Sequence, residues 1–174
     1  VGSEMCIRDR TRIIYMEYRN HFGVYGICYR DNKLLCIRKN KNSGPYSGYY
    51  DLPGGSQKSG ESLKDTLKRE LIEETGYLVK QVTDSTIRDV FVQEQGKSYC
   101  VHHIGALYTV VLSKNPVTQI VRNIDDGKCN DALACYWLNI NQELYNNASP
   151  LLRFYLDRLE DGQTKHYLNW KRKI

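Results

Sequence analysis

The sequence predicts a mixed α/β (α+β) domain in which two helices pack on a mixed β-sheet. Runs rich in aromatic, aliphatic and β-branched residues, typical of strands, precede, separate and follow two runs with helical periodicity. No linker rich in Pro, Gly or Ser and no internal repeat interrupts this pattern. The length of 174 residues also suits one domain with its own core.

The first predicted elements form a β-hairpin. FGVYGICY at 22–29 and KLLCIRK at 33–39 are strand-like, and the RDN between them is a short turn signal. NKNSGPYSG at 40–48 is a polar loop that contains Gly and Pro. YYDLP at 49–53 is a short extended piece, and it leads into a Gly-Gly pair.

The first helix is predicted over residues 61–75 and ends at Gly76, which suits a C-terminal cap. Leu63, Leu67 and Leu71 recur every four residues and form an apolar stripe. We expect this stripe to dock on the sheet, which leaves the acidic residues of the helix along its margin.

The second helix is predicted over residues 149–162, where a Ser cap, a Pro in the first turn and a terminal Gly frame an apolar periodicity. The other elements after the first helix are strands at 78–82, 86–94, 99–112 and 134–140, a turn at 96–98 and an irregular connection at 115–131.

Composition limits the classes of function. The formal charge of +5 is mild and favours anionic ligands in general, and the basic tail KRK at 171–173 suits a solvated chain end. No stretch approaches the roughly 20 apolar residues of a membrane helix. We therefore expect a globular protein with no membrane partner, and a nucleic acid is not the expected partner.

The six cysteines form no CxxC pair, which argues against a metal–thiolate site. Cys28 and Cys36 lie in apolar strands, where a thiol behaves as a small hydrophobe. Because no segment resembles a secretion signal, we expect reduced thiols and a cytoplasmic location.

The first residues, VGSEMCIRDR at 1–10, resemble a translated sequencing-adaptor read-through. We expect residues 1–15 to be a non-native or disordered leader, with Met16 as the start. Residues 16–174 are then a single domain.

The first helix concentrates carboxylates. Glu70, Glu73 and Glu74 share one side, because residues three and four apart are neighbours on a helix. Like charges at this spacing destabilise a helix by about a few tenths of a kcal/mol, and a solvated acidic face balanced by nearby Lys and Arg is the plain interpretation. A hard divalent cation such as Mg²⁺, which prefers oxygen ligands, provides the alternative.

The segment before the helix favours the metal interpretation. Gly54 and Gly55 allow a turn that brings the backbone close to a metal or a phosphate. Glu61 stands at the helix start, where a negative charge suits the helix dipole and where the side chain reaches back toward the cluster. Loop, helix start and helix side can therefore converge on one metal site.

The spacing of these residues resembles the Nudix box. Its matched positions are Gly55, then Glu61 after five residues, Arg69-Glu70-Leu71 after seven more, Glu73-Glu74 after one and Gly76 after one. Tyr77 takes a position that is usually aliphatic, a departure confined to packing. The resemblance extends from about residue 20 to about residue 160 and implies a Nudix-like α/β/α sandwich with a mixed sheet.

The resemblance also implies a reaction and its residues. Family members hydrolyse a nucleoside diphosphate linked to another group X, with Mg²⁺ or Mn²⁺ as the cofactor. Glu70 and Glu74 correspond to the metal ligands, Glu73 often joins them, and the carbonyl of Gly55 commonly adds a ligand. Arg69 corresponds to the arginine that orients the glutamates, since a guanidinium fork fixes the direction of a carboxylate.

The catalytic base is left open between two residues of the box. A metal lowers the pKa of a bound water, and a nearby carboxylate takes its proton. Glu73 and Glu70 are the candidates, and we count them with Arg69 as catalytic. Glu94 is considered as a base from outside the box, against the interpretation of a surface residue.

Candidates for substrate binding are Arg38, which ends the second strand, and Gly54. A solvated strand end is an equal interpretation for Arg38 and its neighbour Lys39. Three tyrosines before the box (Tyr46, Tyr49 and Tyr50) are expected to pack the loop rather than stack on a base. His102 and His103 are expected to be structural. No second motif assigns ADP-ribose, coenzyme A or a diadenosine polyphosphate as the substrate.

Two alternatives remain beside the hydrolase of small nucleotide derivatives. One is a non-catalytic nucleotide-binding or sensing module on the same fold, although the box keeps every acidic position. The other is an RNA 5′-end pyrophosphohydrolase, which needs a wide basic surface. Nudix proteins are often dimers, so the resemblance also allows a homodimer.

Overall fold

The computed structural model describes residues 7–9, 12–14, 16–40, 44–118, 132–158 and 163–173. Its strands are β1 (Ile7–Asp9), β2 (Arg12–Ile14), β3 (Glu17–Arg30), β4 (Lys33–Lys39), β5 (Tyr50–Asp51), β6 (Gly54–Gly55), β7 (Val79–Glu94), β8 (Tyr99–Leu112), β9 (Ala132–Asn139) and β10 (Lys165–Trp170). Its helices are α1 (Leu63–Thr75), α2 (Gln142–Asn147), α3 (Pro150–Leu156) and a short 3-10 turn at Gly44–Tyr46.

The large sheet has the order β10-β7-β8-β3-β4-β5, with β6 paired to β3 and β9 paired to β4. The pairs β3–β8 and β10–β7 are parallel, and the other pairs in this sheet are antiparallel. The prediction of a mixed sheet is therefore confirmed. Within the described ranges, the short strands β1 and β2 pair only with each other. The predicted boundary after residue 15 stays a prediction.

Both faces of the central strands are covered, as a sandwich requires. Successive side chains of a strand point to opposite faces. On β3, Val24 and Cys28 pack with α1, whereas Tyr25 and Ile27 pack with the layer formed by α2 and α3. The central strands thus separate two apolar layers, which confirms the predicted α/β/α arrangement.

Helix α1 has the predicted position and a defined cap at each end. The hydroxyl of Ser62 accepts the backbone N–H of Asp65, which satisfies a donor of the first turn. Gly76 adopts a left-handed conformation (φ 75°), and its N–H donates to the carbonyl of Ile72 at 3.0 Å. Leu67 and Leu71 are fully buried against the sheet, so the apolar stripe docks as predicted.

The β-hairpin is confirmed, but three strand bounds differ from the prediction. β3 begins at Glu17, because its polar first residues pair with β8 while their side chains stay largely exposed. The predicted strands at 78–82 and 86–94 form one strand, β7, whose polar middle is accommodated by irregular pairing near Val82. The strand predicted at 134–140 is β9, shifted by one or two residues.

The predicted helix at 149–162 is wrong in its length. It starts at the expected Ser149 cap and Pro150, but it ends at Leu156 because the chain turns at Asp157 and the left-handed Arg158. The short helix α2 and the edge strand β10 were not predicted. The connection predicted at 115–131 lies outside the described residues after residue 118.

Among the described residues, no helix has the length and apolar character needed to cross a membrane, and the longest, α1, has 13 residues. The four cysteines in the same part of the chain are free thiols, as predicted: Cys28, Cys36, Cys100 and Cys135.

A buried histidine links three elements of the core. His103 on β8 contacts the Tyr25 hydroxyl through Nε2 and the Tyr46 hydroxyl through Nδ1, each at 2.7 Å. A neutral imidazole can donate from one nitrogen and accept at the other, so both tyrosines are satisfied by one neutral ring. The structural interpretation of His103 is confirmed.

We expect His103 to make folding stability depend on acidity. Burial lowers its pKa well below the ordinary value of 6.5, so the folded protein keeps it neutral. In the unfolded chain the ring takes up a proton below about pH 6.5, and each further unit costs about 1.4 kcal/mol until the folded pKa is reached. The free energy of unfolding should therefore fall as the pH drops below about 6.5.

Urea unfolding of the parent and of His103→Gln, compared between neutral and mildly acidic pH, measures this effect. The variant is less stable at neutral pH, and the difference from the parent should shrink as the pH falls. A difference that stays constant would contradict the prediction.

Candidate active site

Two glycines bring the backbone of β6 against both the sheet and α1. Gly54 has φ 148°, and a Cβ there would lie 2.1 Å from the Val24 carbonyl oxygen. A Cβ on Gly55 would lie 2.8 Å from Oε1 of Glu70. The absence of side chains at both positions therefore lets β6 pair with β3 and lets the Glu70 carboxylate lie directly on the strand.

Arg69 gathers the carboxylates at the start and on the side of α1. Its Nε and Nη2 donate to the two oxygens of Glu61 at 2.6 and 2.9 Å. Its Nη1 donates to Glu70 at 2.6 Å and to Glu73 at 3.2 Å, and Nη2 also donates to the Ser56 carbonyl. The salt bridges that the resemblance implies for Arg69 are thus present.

Glu61 anchors this guanidinium to the loop before the helix. Besides Arg69, its carboxylate accepts the Lys58 N–H at 3.1 Å and the Thr66 hydroxyl at 2.9 Å. The hydrogen bonds from Arg69, followed by the smaller contributions of Lys58 and Thr66, lower the pKa of Glu61 to about 2. Glu61 therefore stays ionised and serves to position Arg69.

Glu74 is the most deeply buried acid of the helix, with 2% of its surface exposed. Its Oε2 accepts the Gly54 N–H at 2.7 Å, and its Oε1 lies 3.7 Å from Nζ of Lys39. Burial raises the pKa of Glu74 to about 8, although Lys39 and the Gly54 N–H oppose the shift. The site thus holds a carboxylate whose charge is costly without a further cation.

Glu70 is in a similar but milder situation. Burial raises its pKa, the neighbouring charge of Glu73 adds to the shift, and Arg69 and Lys39 oppose it. The charge of Glu70 in turn contributes to the raised pKa of Glu74. The two acids therefore form a desolvated, mutually repelling pair next to the backbone of Gly55.

This pair fits a divalent cation in its chemistry. Hard cations take carboxylate and carbonyl oxygens, and a dication would offset the burial of both Glu70 and Glu74. Glu73 differs, because its side chain is 42% exposed and faces Arg69 and Lys58. As they stand, no three His, Cys, Asp or Glu side chains of the described residues form a ready-made metal cluster.

The remaining predicted residues lie in various surroundings. Arg38 is exposed and its guanidinium lies 5.7 Å from the centroid of the Tyr50 ring, so its contact with substrate stays a prediction. The carboxylate of Glu94 is bound by Arg172. Tyr46 and Tyr49 are buried in an aromatic cluster, which confirms that they pack the loop.

Two buried charges near Glu74 were missed by the sequence reasoning. For Lys39 the sequence leaves a phosphate contact and a solvated strand end as equal interpretations, but only 8% of its surface is exposed, so the solvated interpretation is wrong. Asp51 on β5 is fully buried. The one sequence signal for Asp51 is its position between Tyr50 and Leu52 in YYDLP, since an Asp is almost never buried among apolar residues unless it has a partner.

Comparison with known proteins points to one family. A family model described as the NUDIX domain matches residues 17–157. An ADP-ribose pyrophosphatase of Methanocaldococcus jannaschii is 42% identical over 79 residues, which cover 45% of this chain and 46% of that protein. The match thus spans about half the length of this curated relative.

Solved structures with the same fold have low sequence identity. A MutT NUDIX hydrolase of Burkholderia pseudomallei superimposes with a TM-score of 0.58 at 18% identity and covers 82% of this chain and 99% of its own. A NUDIX hydrolase of Nitrosomonas europaea gives 0.57 at 17% identity, covering 80% and 87%. These similarities support the fold.

Two of the glycines at positive φ, Gly54 and Gly60, allow a matched test of the packing of β6. We expect Gly54→Ala to lower the free energy of unfolding by about 3 kcal/mol or more, because backbone strain adds to a collision with β3. Gly60→Ala also places a Cβ on a residue at positive φ (82°), but this Cβ meets open space, so we expect a loss of about 1–2 kcal/mol. Urea denaturation of both variants measures the difference, and equal losses would contradict the tight packing described for Gly54.

Proposed function

The chain belongs to the Nudix family, and we propose that it is a divalent-metal-dependent hydrolase that cleaves the pyrophosphate bond of a nucleoside diphosphate linked to a second group. The observation that carries this proposal is the desolvated pair of Glu70, which is partly buried, and Glu74, which is buried. Arg69 holds Glu70, the Gly54 N–H holds Glu74, and both acids lie against β6. A merely structural helix gains nothing from burying two acids that repel each other. A site for a dication and a polyphosphate explains that cost.

ADP-ribose is the first substrate to examine. The support is the relative named ADP-ribose pyrophosphatase, with 42% identity over 79 residues. ADP-ribose is itself a nucleoside diphosphate linked to a sugar, so it belongs to the proposed class. Because the match covers 46% of that relative, ADP-ribose is a proposal for the substrate within this class.

Mg²⁺ or Mn²⁺ is the proposed cofactor, as in the family generally. Glu70, Glu74 and the carbonyl of Gly55 would hold it, and Glu73 would join them. When bound, such an ion neutralises phosphate charge and lowers the pKa of a water.

The other residues of the site have separate proposed roles in the reaction. Arg69 fixes the direction of Glu70 and Glu73 through its hydrogen bonds. Glu73 is our first candidate for the base, because its exposed carboxylate can reach a water, and Glu70 is the second. Arg38 and the backbone of Gly54 are proposed to contact the substrate phosphates. We propose a cytoplasmic location for the protein. Homodimerisation stays a prediction.

The test is nucleotide release from a panel of ADP-ribose, nucleotide sugars, dinucleotides and nucleoside triphosphates, with Mg²⁺ and then Mn²⁺. We expect metal-dependent turnover, with ADP-ribose among the substrates. Glu74→Gln should reduce kcat by roughly 100-fold or more, since it removes a charge from the proposed metal site. Glu143→Gln, the same change at an exposed position of α2, is the matched control and should keep full activity.

Other results would redirect the assignment. Nucleotide binding without turnover on any compound would favour the non-catalytic sensing module. Turnover confined to RNA with a 5′-triphosphate, with binding that weakens steeply as salt increases, would favour the RNA-end enzyme.

A further inference from the structure

Asp51 has a buried carboxylate, and one of its oxygens lacks a hydrogen-bond partner among the described residues. Its Oδ1 accepts the Ser149 hydroxyl at 2.8 Å and the N–H of Leu52 at 2.9 Å. Its Oδ2 is buried and has no hydrogen-bond partner in the described part of the chain. Because an unpaired buried carboxylate oxygen is costly, Oδ2 marks a position where a donor is wanted.

Lys39 is the cation placed to supply that donor. In the β4–β5 ladder, Ile37 pairs with Asp51, and the Lys39 N–H donates to the Tyr49 carbonyl. Lys39 and Asp51 are therefore diagonal neighbours on one face, a separation that a long side chain can bridge. Among the surrounding charges, Lys39 is the strongest influence that lowers the pKa of Asp51.

The same ammonium also lies beside the proposed metal site. Its Nζ is 3.7 Å from Oε1 of Glu74, within an ion-pair contact but beyond the length of a hydrogen bond. Two buried carboxylates, Glu74 and Asp51, thus share one buried lysine. In this structure Lys39 lies next to Glu74, and Oδ2 of Asp51 has no hydrogen-bond partner among the described residues.

We propose that Lys39 is a placeholder cation, which neutralises Glu74 when the metal site is empty and moves to Oδ2 of Asp51 when a divalent cation binds Glu70 and Glu74. The inference rests on the metal site proposed above. Lys39 is a positioning residue in this scheme, since it acts through Glu74 and Asp51. Lys39 would thus have a carboxylate partner both without and with a bound metal: Glu74 in the first case and Asp51 in the second.

Two features of the site explain why such an exchange is favourable. A bound dication repels the ammonium of Lys39. If Lys39 stayed next to Glu74, this repulsion would weaken metal binding. A departing ammonium in a buried site needs another carboxylate, because an unpaired buried charge is costly. Asp51, fixed by Ser149 at the cap of α3, provides it.

The direct test is a pair of crystal structures of the full chain, one without metal and one with Mg²⁺. With Mg²⁺ bound, we expect Nζ of Lys39 at hydrogen-bond distance from Oδ2 of Asp51 and away from Glu74. An ammonium that stays next to Glu74 with Mg²⁺ bound overturns the proposal.

The energetic test is a double-mutant cycle read as the Kd for Mn²⁺, without any substrate or turnover. Lys39→Met should tighten binding roughly tenfold, and Asp51→Asn should weaken it roughly tenfold. In the Lys39→Met background, Asp51→Asn should change the Kd by less than about twofold, because this variant has no Lys39 ammonium that could move to Asp51. Lys33→Met, at the exposed start of the same strand, is the matched control and should have no effect.

The possible failures can be told apart. If Asp51→Asn weakens binding equally in both backgrounds, Asp51 acts only through its distant charge and the exchange is wrong. If the unmodified protein binds no Mn²⁺, or if Glu74→Gln binds it as tightly, the proposed metal site itself fails and the exchange fails with it.

Discussion

The contact between the glycine strand β6 and the acidic side of α1 is the constraint on which the rest of the site depends. At Gly54 and Gly55 the backbone comes so close to β3 and to Glu70 that a methyl group would collide. The Gly54 N–H fixes Glu74 from the strand side, and Arg69 fixes Glu70 from the helix side. The geometry of the acids is thus set by backbone and guanidinium groups, which have few alternative positions.

The same contact connects the site to the core. Leu67 and Leu71, which lie beside Glu70 and Glu74 on α1, are fully buried against β3 and β8, and Leu71 packs on Gly26, where a Cβ would approach it to 3.0 Å. Helix α1 therefore cannot rotate to carry Glu70 and Glu74 into solvent without losing its apolar contacts. The free energy of burying these leucines, about 1.5–3 kcal/mol each, helps to keep Glu70 and Glu74 against β6 despite the cost of desolvating both carboxylates.

Local pattern was sufficient for the part of the site within one helix and its preceding loop. The leucine stripe, the Gly76 cap and the spacing of Glu70, Glu73 and Glu74 are set by helical geometry, so the sequence predicted them correctly. The β3–β4 hairpin was predicted because its two strands and the turn between them are adjacent in the sequence. α2 is too short to show a periodicity, and β10 is a partly exposed edge strand whose parallel pairing with β7 depends on residues far away in the chain.

Lys39 and Asp51 illustrate a different limit of sequence reasoning. Each is a charged residue at the end of a strand, and such residues are usually solvated. Their burial follows from the pairing of β4 with β5 and from Ser149, which lies 98 positions beyond Asp51 and caps α3. The acids of the motif are therefore only part of the group of charges that surrounds the proposed metal site. The rest comes from the pairing of β4 with β5 and from the hydrogen bond between Asp51 and the cap of α3. These are contacts between separate elements, which no local pattern specifies, and they influence how readily the acids can stay ionised.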